Sequence, residues 1–204
     1  MSVPKYRLDA IETIGRKILQ KYDPALLDGP PQAVPIETII ETKFDLTLEY
    51  HCLRKNGSIL GETIFDEGAA ILYDQDEKRD RLIAVKAGTI LVEERLCVDR
   101  LLGRLRFTCA HELGHWVLHQ KLYSGTGDVA AYEGKTSLDE SYGLVEWQAD
   151  ALATALLMPL PQIKRSFYRL RAGRSHEHLV AEMARTFQVS KQAMRIRLET
   201  RNLI

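Results

Sequence analysis

The chain has 204 residues, 45% of them hydrophobic and 27% charged, and a formal net charge of zero. These values exclude a disordered chain and a general polyanion binder, and the length lets a domain bury its core without staples. The zero conceals a split: from Gln162 onward ten basic side chains stand against three acidic ones, +7, which leaves −7 over residues 1–161. We read it as a division between a domain over residues 1–161 and a basic helical segment over 162–204. Cys52, Cys97 and Cys109 are widely spaced, form no CxxC pair and read as small packed residues of a reducing compartment. The first residues lack the apolar stretch of a signal peptide and no run is long enough to span a membrane, so the expected location is cytoplasmic.

In chain order, Leu8, Ile11, Ile14, Ile18 and Leu19 give residues 5–21 a helical period, stopped by Asp23-Pro24 and Asp28-Gly29-Pro30-Pro31. A second short helix opens at Val34-Pro35-Ile36 and runs to about Lys43. Short β-like pieces follow at Leu46–Tyr50, Ile59–Ile64, Ala69–Tyr73, Leu82–Val85 and Thr89–Val92, with a hairpin-type Asn56-Gly57 turn. Residues 100–120 turn helical again. Residues 123–143 read as a long loop, rich in Gly, Ser, Thr and Asp. An apolar helix follows from Leu144 to Met158, closed by Pro159 and Pro161, and then a helical tail broken at Gly173 and near Gln188-Val189-Ser190. The expected class is α+β: a small, mostly antiparallel sheet packed on two helices, with a helix-turn-helix-like C-terminal segment.

The helix at 100–120 carries His111-Glu112-Leu113-Gly114-His115. Histidines at i and i+4 lie about 40° apart and one turn along, so both imidazoles can reach one ion. Glu112, about 100° round from His111, is placed to take a proton from a water rather than to ligate. Cys109, about 200° round, lies on the far side. A catalytic zinc needs a third protein ligand. The apolar helix offers Glu146 and Asp150, again one turn apart, among Leu144, Val145, Ala149, Leu152 and Leu156. Two carboxylates on such a helix call for partners. We assign Glu146 to the metal and Asp150 to a hydrogen bond that fixes a ligand histidine's tautomer. His119 drifts about 80° from His111 and reads as structural or substrate-facing.

The stretch Arg106-Phe107-Thr108-Cys109-Ala110-His111-Glu112-Leu113-Gly114-His115, ending at His119, resembles the signature of the ImmA/IrrE family of metallopeptidases. Glu146-Trp147-Gln148-Ala149-Asp150-Ala151-Leu152-Ala153 with Leu156-Leu157-Met158-Pro159 is similar to that family's second motif helix. Gln148 stands in place of the family's second Glu, and Asp150 in place of its usual Asn. Residues 183–198 resemble its helix-turn-helix-like segment, with Gln188 where Gly is common. The resemblance implies one Zn2+ per chain and a site-specific protease acting on a protein substrate, in characterised relatives a helix-turn-helix repressor of the XRE type.

The expected mechanism has zinc held by His111, His115 and Glu146, with Glu112 as general base. Tyr123, Tyr132 and Tyr142 are open as oxyanion donors. A strand such as Ala69–Tyr73, if it borders the cleft, would bind substrate by strand addition. Two rivals belong to other classes. One is a DNA-binding regulator presenting Lys191, Arg195 and Arg197 from a helix over Ser190–Glu199, which the apolar Met194, Ile196 and Leu198 disfavour. The other is a metal-bearing, antitoxin-like scaffold without activity, against which the intact Glu112 argues.

Overall fold

The computed structural model describes residues 3–125 and 140–204, and only the backbone of residues 140–142. The fold is α+β, as the alternation of patterns predicts. Helix α1 (Leu8–Tyr22) buries Ile11, Ile18 and Leu19. The Pro-flanked stretch after it holds a single helical turn, α2 (Ala25–Asp28), and then α3 (Ile36–Phe44), which ends where Asp45 turns left-handed.

Five strands follow: β1 (Thr47–His51), β2 (Gly61–Ile64), β3 (Gly68–Asp74), β4 (Arg79–Val85) and β5 (Thr89–Glu93). The sequence led us to expect one sheet, but they form two. In the first, β5 lies between β1, which it pairs in parallel, and β2, which it pairs antiparallel. In the second, β3 and β4 make an antiparallel hairpin. Asn56-Gly57 therefore does not join paired strands; β5, from further along the chain, separates β1 from β2. The hairpin turn lies instead at residues 75–78, where Asp74 Oδ1 accepts from the N–H groups of Asp76 and Glu77 and Lys78 adopts φ 52°. Those side-chain bonds hold the turn that a Gly-containing pair would otherwise make. Every residue of β5 is buried, as a central strand requires.

Helix α4 (Leu102–Tyr123) packs on β2, β5 and α5 (Glu140–Leu157), and α5 packs on α1. Of the expected 123–143 loop, Tyr123 closes α4 and residues 140–143 open α5, while 126–139 lie outside the described residues. Three shorter helices complete the chain: α6 (Leu160–Leu170), α7 (His176–Phe187) and α8 (Lys191–Glu199). Ser175 and Ser190 cap α7 and α8 by accepting N–H bonds from His178 and Ala193. Leu179, Met183, Phe187, Met194 and Leu198 join the same apolar cluster as Ile11, Leu113 and Leu152, so the basic tail shares the core of the preceding helices.

Arg197 is the polar anchor of that tail. Only 2% of its side chain is exposed; it donates to the Met158 carbonyl at 2.8 and 3.1 Å and pairs with Glu12 of α1. Arg201 meets the same carboxylate. Arg197 is therefore not presented to solvent as a nucleic-acid-reading helix would need. Of the cysteines, Cys52 and Cys109 are buried as expected, but Cys97 is exposed beyond the 3-10 turn after β5. Among the described residues, no helix is long and apolar enough to cross a membrane.

Candidate metal centre

The site forms where α4 and α5 touch. Gly114 permits the contact: a Cβ there would lie 2.9 Å from the Ala149 carbonyl oxygen and 3.0 Å from its Cα. Side chains on the facing turns then converge. His111 Nε2 lies 2.8 Å from His115 Nε2, 3.3 Å from one Glu146 oxygen, and His115 Nε2 lies 3.5 Å from the other. The structure thus gathers all three sequence-proposed ligands, with one atom from each lying within 4.8 Å of the others.

Two observations show that these residues fit a metal. Glu146 Oε1 is buried and meets no hydrogen-bond donor among the described residues, an expense that a cation would remove. The two Nε2 atoms face each other within hydrogen-bond distance, and their outer nitrogens are engaged elsewhere: His111 Nδ1 is 2.8 Å from Asp150 Oδ1, and His115 Nδ1 is 3.2 Å from His119 Nδ1. Two nitrogens and a carboxylate are the donor set of a catalytic zinc site with an open position. Burial alone would disfavour a charge on His111, but the Asp150 and Glu146 carboxylates outweigh it and raise its pKa to about 10. That pull acts on any positive charge placed between them, proton or metal. His115 is held well below the ordinary histidine value, first by burial and then by His111 and His119.

Glu112 lies beside the ligands and is buried. Its Oε2 accepts from Thr63 Oγ1 of β2 at 2.7 Å, and the same hydroxyl lies 3.0 Å from the Glu112 carbonyl. Burial pushes the Glu112 pKa up to about 7, against the opposing pull of His111 and the Thr63 hydrogen bond. A Cβ at Gly61 would come within 2.5 Å of Glu112 Oε1, so the bare backbone of β2 makes room for the carboxylate. Asp150 is 57% exposed, so the burial argument that singled it out does not hold; its Oδ1 lies 2.8 Å from His111 Nδ1. His119 is fully buried behind His115 and donates no ligand atom to the cluster. Arg106 is buried too, donating to the Val34 carbonyl and 3.5 Å from Glu37, which ties α4 to α3.

A cleft of about 340 Å3 opens on this cluster, lined by Ser58 to Thr63, Phe107, Thr108, His111, Glu112, His115, Glu146 and Asp150. The strand at its border is β2, not the β3 suggested by the sequence; β3 is paired in the separate hairpin. The Leu60 and Ile64 carbonyls accept from Glu93 and Gly88, so the backbone groups of Gly61 and Thr63 point to the open edge. Of the tyrosines held open as oxyanion donors, Tyr123 is buried against Phe65 and Val145 and does not line the cleft. Tyr132 lies outside the described residues, as does the side chain of Tyr142.

Sequence reasoning missed Thr63, Gly61 and Gln148. The first two come from a strand about fifty positions away. Gln148 carried a signal, since a polar amide on an apolar helix needs partners.

An α+β fold in which one helix carries His-Glu-x-x-His and a second brings a carboxylate to the same point defines a metallopeptidase-like protein. A family model described as the IrrE N-terminal-like domain, a peptidase family, matches residues 74–199, and the chain belongs to that family. No curated protein matches it. Among solved structures it is similar to a Mycobacterium tuberculosis transcriptional regulator, with 15% identity and a TM-score of 0.54 over 95% of this chain. The chain spans 47% of the length of that structure, and at this identity the likeness concerns the fold.

Proposed function

We propose that the protein is a zinc-dependent endopeptidase that cuts a helix-turn-helix repressor of the XRE type at one site and so derepresses its genes. The observation that carries this reading is the meeting of His111, His115 and Glu146 at one point with the Glu112 carboxylate alongside. A zinc ion held by the three would supply Lewis-acid polarisation of the scissile carbonyl and acidify the attacking water. The remaining work falls to the chain's own groups. Glu112, its pKa lifted towards neutrality by burial, takes the water's proton and returns it to the leaving amine. Thr63 orients that carboxylate from the β2 side. Asp150 accepts from His111 Nδ1–H, so that Nε2 is the nitrogen His111 would offer to a metal in place of its proton.

The cleft limits what can enter. A volume of about 340 Å3 takes a few side chains of an extended segment, not a folded domain. The outward backbone groups of Gly61 and Thr63 offer a substrate strand its hydrogen bonds. A linker or exposed loop of the repressor fits those terms. The repressor assignment itself is supported by family membership together with the resemblance of the Arg106–His119 and Glu146–Pro159 motifs. The similar structure's name, a transcriptional regulator, also points to gene control.

The test is incubation of the zinc-loaded protein with the helix-turn-helix repressor encoded beside its gene, read by intact mass. Two fragments summing to the repressor plus one water are expected. An uncut repressor would refute the substrate assignment.

A further inference from the structure

Behind His115 runs a chain of three groups, the Pro4 carbonyl, Gln148 and His119, that the proposed mechanism does not use. Gln148 Nε2 donates to the Pro4 carbonyl at 2.6 Å. Gln148 Oε1 lies 3.0 Å from His119 Nε2, and His119 Nδ1 lies 3.2 Å from His115 Nδ1. Gln148 and His119 have no exposed surface at all.

The direction of every bond follows from one end. A backbone carbonyl only accepts, so the Gln148 atom facing Pro4 must be the NH2 group. Its oxygen then faces His119, so the His119 proton on that side sits on Nε2. A second proton on His119 would make a buried imidazolium with no carboxylate in contact among the described residues, which is costly. His119 Nδ1 is therefore bare and accepts from His115 Nδ1–H. A neutral His115 carrying its proton there has a bare Nε2, and that is the atom facing His111 Nε2 and Glu146.

We propose that Gln148 and His119 are positioning residues: anchored on the Pro4 carbonyl, they fix the tautomer of His115 so that its Nε2 lone pair is presented to the metal. The relay makes for His115, without a charge, the arrangement that Asp150 makes for His111 with one. It also ties the segment before α1, through Pro4, to Gln148 of α5, 144 positions away. The proposal rests on the metal reading of the site, but its first test needs no metal.

That test is the imidazole 15N–1H correlation spectrum of metal-free protein, taken throughout in a His111→Ala background so that no His111 Nε2–H can by itself hold His115 Nε2 bare, with the zinc dissociation constant measured separately by chelator competition on proteins that keep His111. Wild-type His115 should carry its proton on Nδ1. In Gln148→Leu, His119 Nε2 loses its acceptor, His119 is free to donate from Nδ1, and the His115 proton should move to Nε2. Zinc affinity should then fall about 10- to 100-fold. A role in packing alone predicts a His115 proton that does not move.

A wild-type His115 protonated on Nε2 would overturn the proposal. So would a folded Gln148→Leu protein with unchanged tautomer and affinity. If Gln148→Leu does not fold, Gln148→Met, of matching length and likewise without a comparable acceptor for His119, carries the same expectation, and the wild-type spectrum decides by itself, since a His115 proton on Nε2 there refutes the relay. A wild-type protein that binds no zinc would refute the metal reading instead, and the tautomer result would still stand or fall separately.

Discussion

Replacing Gly114 by Ala sets two physical effects of opposite sign against each other. Gly114 is interior to α4, and on helix propensity alone Ala should stabilise the protein by about 1 kcal/mol. The structure predicts the opposite. The new Cβ would sit 2.9 to 3.0 Å from backbone atoms of Ala149, where ordinary contact needs about 3.4 to 4 Å. Backbone cannot swing aside as a side chain can, so α4 and α5 must part by roughly 0.5 to 1 Å at this point, an overpacking that typically costs about 1 to 3 kcal/mol. The net expectation is a loss of up to about 2 kcal/mol, or several degrees in Tm for a chain of this size. The same separation moves Glu146 of α5 away from His111 and His115 of α4, so zinc affinity should fall together with stability. Urea unfolding of the metal-free protein and chelator competition measure the two. A Gly114→Ala protein about 1 kcal/mol more stable, with unchanged zinc affinity, would refute the close-packing argument.

Glu12→Gln leaves Arg197 buried without its carboxylate and should cost about 3 kcal/mol, the lower end for a broken buried pair because Glu12 keeps some solvent access. Burial raises the Glu12 pKa, but the hydrogen bonds and charges of Arg197 and Arg201 outweigh it, so the folded value lies below the ordinary 4.5. Its contribution is therefore complete above that ordinary value and is lost as pH falls through the lowered one. The urea-midpoint gap between wild type and Glu12→Gln should be wide at neutral pH and close in acid; a gap that persists in acid contradicts the pairing. Thr63→Val removes the hydroxyl that donates to the buried Glu112 carboxylate, which should cost about 1.5 to 3 kcal/mol in urea unfolding and lower the rate of repressor cleavage. Unchanged stability and rate would show that Glu112 is oriented from elsewhere.

What could be read from the sequence was what lies on one element. His111, Glu112 and His115 share a helix whose period fixes their relative angles, and Glu146 announced itself as an acid on an apolar helix. What crosses elements stayed hidden. No local pattern shows that β5 inserts between β1 and β2, so Ala69–Tyr73 of β3 stood as an example of a strand that would bind substrate if it bordered the cleft, where the structure has β2. Thr63 and Gly61 reach Glu112 only through that sheet order. Arg197 shows the limit of counting charge: it adds to the basic excess of the tail, yet it is a buried anchor bonded to Glu12 and Met158. Asp150 was found for a reason that does not apply, since it is exposed, while its spacing of one turn from Glu146 placed it correctly against His111.

In the proposed function Glu112 moves the proton while His111, His115 and Glu146 hold the metal. Glu112→Gln separates the two roles, because the amide keeps the shape of the side chain and cannot act as a base. Native mass spectrometry of that variant beside a cleavage assay on the cognate repressor reads both at once. One zinc per chain is expected, as in wild type, with cleavage reduced by at least about 100-fold. Cleavage at the wild-type rate by the zinc-loaded variant would contradict the proposal.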